Sequence, residues 1–275
     1  MPSIAHLSDV HFGRHDPGAV DAILADLKEL QPTLVVISGD FTQRAKRSQF
    51  RLAHAFLVEI EALGLPWLAV PGNHDVPLYD VARRFLSPLR RYRRYITPDL
   101  APRFVAPGLA VVGINTARSL TWSDGRVSRD QIEAIAAAFG DADPEAARVL
   151  VTHHPLVELP WGEDGASLKA AGRARRALDA ASVAGVEMLL AGHHHRSFTG
   201  SAATFRAANG AVLVVQAGTA TSTRVRGEAN SYNLIRTSPG SAEIEVRART
   251  TEAFETVRVE RHRLVDGVWA AEPRP

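Results

Sequence analysis

The chain has 275 residues, 45% hydrophobic and 23% charged, enough to bury one large core or two small ones. A net charge of +2 argues against a general polyanion trap, whatever one local patch does. There is no cysteine, which excludes disulfides, thiolate metal sites and cysteine nucleophiles and leaves any metal to histidine, carboxylate and amide ligands.

In chain order, Ile4–Leu7 reads as a first strand, followed by the loop Ser8-Asp9-Val10-His11-Phe12-Gly13. Apolar residues at 20, 23, 24, 27 and 30 predict a helix over Ala19–Leu30, closed by Pro32. Leu34–Ser38 is a second strand ending at Asp40, Ser48–Leu63 a helix stopped by Gly64, and Trp67–Val70 a third strand running into Pro71-Gly72-Asn73-His74-Asp75. This alternation predicts parallel pairing with right-handed crossovers. Between Asp80 and Asp99 lie Arg83, Arg84, Arg90, Arg91, Arg93 and Arg94, with Phe85, Leu89, Tyr92 and Ile96 at helical spacing. That predicts an amphipathic basic segment broken at Pro88, either a solvated arginine face over a core stripe or a rim that attracts phosphate or an anionic surface.

Leu109–Ile114 is the next strand; a capping box at Ser128–Gln131 opens a helix to Phe139. Val149–Thr152 is a strand ending at His153-His154-Pro155, Gly172–Ala184 a helix, and Met188–Leu190 a strand ending at Gly192-His193-His194-His195. Beyond residue 200 the strands Ala211–Gln216, Tyr232–Arg236, Ile244–Arg249 and Thr256–His262 follow without a long helix, which predicts antiparallel pairing that completes a second sheet over 211–263. Ala270–Pro275 reads as a loose tail. Without a linker or repeat, residues 1–275 are expected to form a single domain.

Asp9, His11, Asp40, Asn73, His74, His153, His193 and His195 all stand at the ends of five separate strands. A lone strand-end Asp is usually a turn former and a lone His usually a satisfied polar residue. Eight together are hard to explain as turn chemistry. Asp9 and His11, two apart on an extended segment, can converge on one ion, and His193 and His195 repeat that spacing with His194 turned away. Oxygen and imidazole donors suit Mn, Fe, Co or Zn rather than calcium. Seven ligands are too many for one transition ion and suit two that share a carboxylate.

In this order Asp-x-His, Gly-Asp, Gly-Asn-His-Asp, a lone His and Gly-His-x-His resemble the calcineurin-like metallophosphoesterase superfamily, across residues 4 to 195. The resemblance implies an α/β fold, a four-layer αββα sandwich of two mixed β-sheets flanked by helices. It also implies two divalent or trivalent transition ions. Asp9, His11 and His195 would hold the first, Asn73, His153 and His193 the second, and Asp40 would bridge them. The family's His-x-Pro block places the ligand at His153, with its register set by Pro155, and leaves His154 behind it. His74 would contact the phosphate and assist the leaving group, with Asp75 as its orienting partner. Two such ions would activate a bridging water for in-line attack on phosphorus.

The opening His6–Phe12 and the segment Pro71–Pro77 resemble the bacterial class III cyclic nucleotide phosphodiesterases and their glycerophosphodiesterase relatives. The expected substrate is a small phosphodiester such as a 3′,5′-cyclic nucleotide. Trp122 and Trp161, on loops near the expected site, could stack a base or anchor their loops. The alternatives are a UDP-2,3-diacylglucosamine-type pyrophosphate hydrolase, reached through the Arg83–Arg94 segment at a membrane surface, and a non-catalytic scaffold of the same fold. The first is expected to carry Gly-Asn-Arg-Asp where this chain has His74; the second predicts lost ligands, and none is lost. Nucleic acid is not an expected partner, since a repair nuclease of this superfamily carries further DNA-binding and coiled-coil regions. The N-terminus enters a strand directly and no run approaches eighteen apolar residues, so a cytoplasmic chain is expected.

Overall fold

In the computed structural model, which describes residues 1–121, 123–159, 168–201, 212–223 and 228–273, alternate residues of the first strands face different layers. Strand β1 (Ser3–Leu7) pairs in parallel with β2 (Leu34–Ile37), and β2 with β3 (Trp67–Ala69). Along β2, Val35 and Ile37 pack with Ile23, Leu27, Phe50 and Phe56 of the crossover helices α1 (Pro17–Leu30) and α2 (Arg47–Ala62). Leu34 and Val36 instead join a seam with Val111, Val149, Leu190 and Val215 of a second sheet. The two-residue period of a strand sends successive side chains to opposite faces, so one strand feeds both layers. Helix α1 starts two residues before its apolar periodicity, because Asp16 accepts from the Gly18 amide at 2.9 Å and Pro17 opens the first turn.

The segment after β3 forms two short helices, α3 (Val81–Leu86) and α4 (Arg90–Tyr95), separated where Pro88 was expected to break the helix. Leu89 and Tyr92 are buried as the apolar stripe requires. Arg84 is buried as well, its guanidinium donating to the carbonyls of Pro77 (3.0 Å), Ser119 (2.8 Å) and Thr121 (3.0 Å). One of the six arginines is therefore a staple between α3 and a distant loop, not part of a solvated face.

The second sheet contains β4 (Arg103–Ala106), β5 (Leu109–Gly113), β6 (Ala147–Val151), β7 (Met188–Ala191), β8 (Phe198–Ser201) and β9 (Leu213–Gln216), in the order β4-β5-β6-β7-β9-β8. Its outer face is covered by α5 (Arg129–Ala138), opened by the expected Ser128–Gln131 capping box, and by α6 (Ala174–Val183). The result is a four-layer αββα sandwich of two mixed sheets.

The C-terminal strands correct the sequence-based expectation. Only β9 joins the second sheet. Strands β10 (Ser231–Ser238), β11 (Ser241–Arg249), β12 (Phe254–Val265) and β13 (Val268–Ala271) extend the first, giving the order β13-β12-β11-β10-β1-β2-β3. The reason lies in β1, whose free edge accepts β10 antiparallel with Ser3 opposite Arg236. The expected loose tail is also partly a strand, β13 (Val268–Ala271). Asp266 and Gly267 both take positive φ (51° and 76°), the two-residue turn that returns a hairpin, and Trp269 is then buried in the seam at 3% exposure. Among the described residues no helix is long and apolar enough to cross a membrane.

Candidate metal centre

The ends of β1, β2, β3, β6 and β7 deliver the singled-out side chains to one edge of the sandwich. The local backbone is not the extended chain expected there. Asp9, His11, Asp40, His193 and His195 all have positive φ, between 47° and 77°, and make up five of the nine non-glycine residues so disposed among the described residues. Such a conformation costs an L-residue energy and persists only where the surroundings over-determine it. Here they do: the Asp9 amide donates to the Gly39 carbonyl (3.1 Å) and the His11 amide to the Asp40 carbonyl (2.9 Å), locking the two loops together. Glycine is required at 72, where an added Cβ would strike the backbone and carboxylate of Asp40.

Each aspartate is anchored by one contact and open at another. Asp9 Oδ2 accepts from the Ser8 hydroxyl (2.6 Å) and the His193 amide (2.9 Å). Its buried Oδ1 has no hydrogen-bond partner and lies 3.2 Å from His195 Nε2 and 3.5 Å from His11 Nε2. Those two imidazole nitrogens are 3.2 Å apart. Asp40 Oδ1 accepts from the His74 amide (2.8 Å) and lies 3.5 Å from His153 Nε2, while its Oδ2 lies 3.6 Å from His11 Nε2. His153 Nδ1 donates to the Ser38 carbonyl at 2.7 Å, which turns Nε2 towards Asp40 and sets it 3.1 Å from Asn73 Oδ1.

Donors bonded at about 2.0–2.2 Å to one ion stand roughly 3.0–3.5 Å from each other in tetrahedral or octahedral geometry. The spacings above run from 3.1 to 3.6 Å, close to that range, and the buried Asp9 Oδ1, with no hydrogen-bond partner, is placed to accept a cation. Three sets could hold one: Asp9, His11 and His195; Asp9, Asp40 and His153; and His153, His154 and His193. The charge distribution agrees. Burial alone would raise the pKa of Asp9, but His195, His11 and His153 offset it and hold the carboxyl well below its usual range. Asp40 is likewise held low against burial, chiefly by His153 and His74. Burial opposes the His153 imidazolium, yet Asp40 outweighs it and pulls the pKa up to about 9.

The structure brings Asp9, His11, Asp40, Asn73, His153, His193 and His195 together, and His74 reaches the same rim, its ring 4.9 Å from that of His11. His154 lies beside them, with Nδ1 on the Thr116 hydroxyl (2.8 Å) and its ring against His153 and His193. Asp75 does not orient His74. It accepts from the amides of Phe41 (3.2 Å), Thr42 (3.0 Å) and Gly72 (3.0 Å), and the His74 ring is held by the Gln43 carbonyl at 2.8 Å. Its adjacent number misled, because a tight helical turn after Gly72 sends neighbouring side chains in different directions. Burial, with Asp40 close by, pushes the Asp75 carboxyl up to about 7. Trp122 and Trp161 lie outside the described residues.

Some contributors had no motif. The Thr219 hydroxyl donates to the Asp9 carbonyl (2.8 Å) and the Thr221 hydroxyl to the Val10 carbonyl (2.6 Å), so the loop after β9 holds the left-handed turn of the first loop. The only sequence signal was another strand end followed by small and hydroxyl residues.

A family model described as calcineurin-like phosphoesterase matches residues 2–197, and the chain belongs to that family. With this fold and donor set it is a phosphoester hydrolase. It is 26% identical over 210 residues to a probable cyclic nucleotide phosphodiesterase of Synechococcus sp., covering 71% of this chain and 74% of that one. It is 29% identical over 175 residues to the glycerophosphodiester phosphodiesterase GpdQ of Enterobacter lignolyticus, covering 56% of this chain and 57% of the relative. A dimetal phosphatase from Danio rerio shares the fold, with a TM-score of 0.65 at 15% identity over 93% of this chain and 98% of the other.

Proposed function

We propose that residues 1–275 act as one domain, a dinuclear metal-dependent phosphodiesterase of the cytoplasm that hydrolyses small phosphodiesters such as 3′,5′-cyclic nucleotides. One observation carries the two-ion reading: the oxygens of Asp40 face different imidazoles, His153 from Oδ1 and His11 from Oδ2. In this reading Asp9, His11 and His195 hold one ion, Asn73, His153 and His193 the other, and Asp40 both. Nitrogen and oxygen donors without thiolate suit Mn, Fe, Zn or Co. Bound ions would supply Lewis-acid stabilisation of a phosphoryl oxygen and lower the pKa of water. The chain's own residues do the rest. Asp9 and Asp40 balance the positive charge, and the Ser38 carbonyl keeps His153 in the tautomer that offers Nε2. His74, held at Nδ1 by the Gln43 carbonyl, is placed to contact the phosphate and assist the departing oxygen. The phosphodiester class is supported by the kinship with the cyanobacterial and enterobacterial enzymes.

One observation favours a second reading, a lipid-linked pyrophosphate met at an anionic membrane. Beside the arginines of α3 and α4, Phe85, Leu86 (84% exposed) and Leu120 (83%) face solvent, and Arg84 ties α3 to the loop that bears Leu120. A kinetic panel of the metal-reconstituted protein tests both readings, using cyclic nucleotides, glycerophosphodiesters, a UDP-sugar lipid, phosphomonoesters and DNA. Turnover of cyclic nucleotides or glycerophosphodiesters above all others is expected. Preference for the UDP-sugar lipid, with flotation on anionic vesicles, would replace the first reading by the second.

A further inference from the structure

Next to His74 the surface sinks into a cavity of about 430 Å³ lined by Gly13, Arg14, Gln43, Arg44, Lys46 and Gln49, with His74 and Leu78 on its inner wall. It carries three cationic side chains and no carboxylate. None of the three is in an ion pair among the described residues, although arginines elsewhere on the molecule, such as Arg103, Arg247 and Arg263, are paired with acids. The wall is built rather than incidental. The Gln49 side-chain oxygen accepts from the amides of Arg44 (2.9 Å) and Lys46 (3.3 Å), fixing the loop that presents both cations. The Arg44 guanidinium lies 5.0 Å over the ring of Tyr79, which holds it in place without neutralising it. On the other side, the Arg14 carbonyl accepts from the Thr223 amide (2.8 Å) and hydroxyl (3.0 Å). His74 lines the cavity and also abuts the His11 ring, so a ligand lying in the cavity touches the candidate metal centre at one end.

We propose that this cavity is a subsite for a second anionic group of the substrate, so that the preferred phosphodiester carries a phosphate, phosphonate or carboxylate on the arm that lies beyond His74. This rests on the phosphodiesterase reading and narrows it: among the small phosphodiesters turned over, those with a distal anion are preferred to a 3′,5′-cyclic mononucleotide, which carries none. A phosphodiester at the metal centre bears a single negative charge and satisfies none of the three outer cations. A distal dianion would meet all of them within one cavity whose volume exceeds that of a phosphate several-fold, and charge-assisted hydrogen bonds from guanidinium and ammonium groups are the stronger kind. Gln43 adds a polar group to the lining, and Leu78 gives the connecting arm an apolar contact.

The test uses two chromogenic esters that differ only at the far end of one arm, propyl p-nitrophenyl phosphate and 3-phosphonopropyl p-nitrophenyl phosphate. The ratio of their kcat/KM values is measured in the metal-reconstituted full chain, in the Arg44→Ala/Lys46→Ala double variant and in Arg14→Ala. The wild-type ratio is expected to favour the phosphonate about tenfold or more, with most of the preference in KM, to shrink as salt is raised, and to fall towards one in the double variant. A wild-type ratio near one, or a ratio that the double variant leaves unchanged, overturns the subsite and leaves the phosphodiesterase reading standing. If neither ester is hydrolysed with any metal, that reading fails, and calorimetric binding of both esters to the protein as purified decides the subsite. Tighter binding of the phosphonate that the double variant abolishes upholds it, and equal binding of the two esters overturns it.

Discussion

Asp40 and His153 meet 3.5 Å apart across the seam between the two sheets, and the same strand end that carries Asp40 also aims His153, because the Ser38 carbonyl holds its Nδ1 at 2.7 Å. Strand β2 thus supplies both an acidic candidate ligand and the group that orients a candidate ligand from β6. Asp40 also faces His11, so its loss should affect both ion positions. Asp40→Ala is expected to lower bound metal from two ions per chain to below one, measured by elemental analysis, and to reduce turnover by at least about 100-fold, beyond the 10–100-fold typical of losing an outer-shell partner. Asn73→Ala should retain about one ion. Full dinuclear content with ordinary turnover in Asp40→Ala would refute the shared-carboxylate arrangement.

Asp75 binds three amides from two loops and leaves His74 to Gln43. Removing it strands those amides in a buried site, at about 1–3 kcal/mol for each left unsatisfied. Asp75→Ala is therefore expected to lower the melting temperature of the metal-free chain by several degrees. If Asp75 oriented His74 instead, the variant would melt like the wild type and mimic the kinetics of His74→Ala.

Thr219 and Thr221 reach the carbonyls of Asp9 and Val10 from the loop after β9. Thr219→Val keeps the shape and removes the hydroxyl. It should weaken binding at the proposed Asp9, His11 and His195 position by about tenfold, with little change at the other, in a metal titration. Equal weakening at both sites would show that the hydroxyl does not act through the Asp9 turn.

Trp269 lies in the inter-sheet seam although it sits in the last strand. Replacing it with alanine leaves a cavity between layers and is expected to destabilise the chain by about 3–5 kcal/mol in denaturant unfolding. A loss under about 0.5 kcal/mol, the level of ordinary surface substitutions, would mean that the final strand frays in solution.

From the sequence alone came the alternating strands and helices of the first half, the break at Pro88, the Ser128–Gln131 cap, and the donors at the ends of five strands. These are local matters: side-chain period, capping chemistry and residue type act over a few positions. Much that makes the site work is not local. Thr219 lies 210 residues from the carbonyl it holds, and Asp75, adjacent to His74 in sequence, serves another loop. The positive φ of Asp9, His11, Asp40, His193 and His195 is held by contacts between strand ends; Asp and His enter the left-handed region more readily than most L-residues, but at a cost that residue type alone does not meet. The placement of β10–β12 beside β1 was decided by which edge remained free once β2 and β3 had paired on the other side. Residue type and order named the candidate donors; long-range pairing brought them together at one edge of the sandwich.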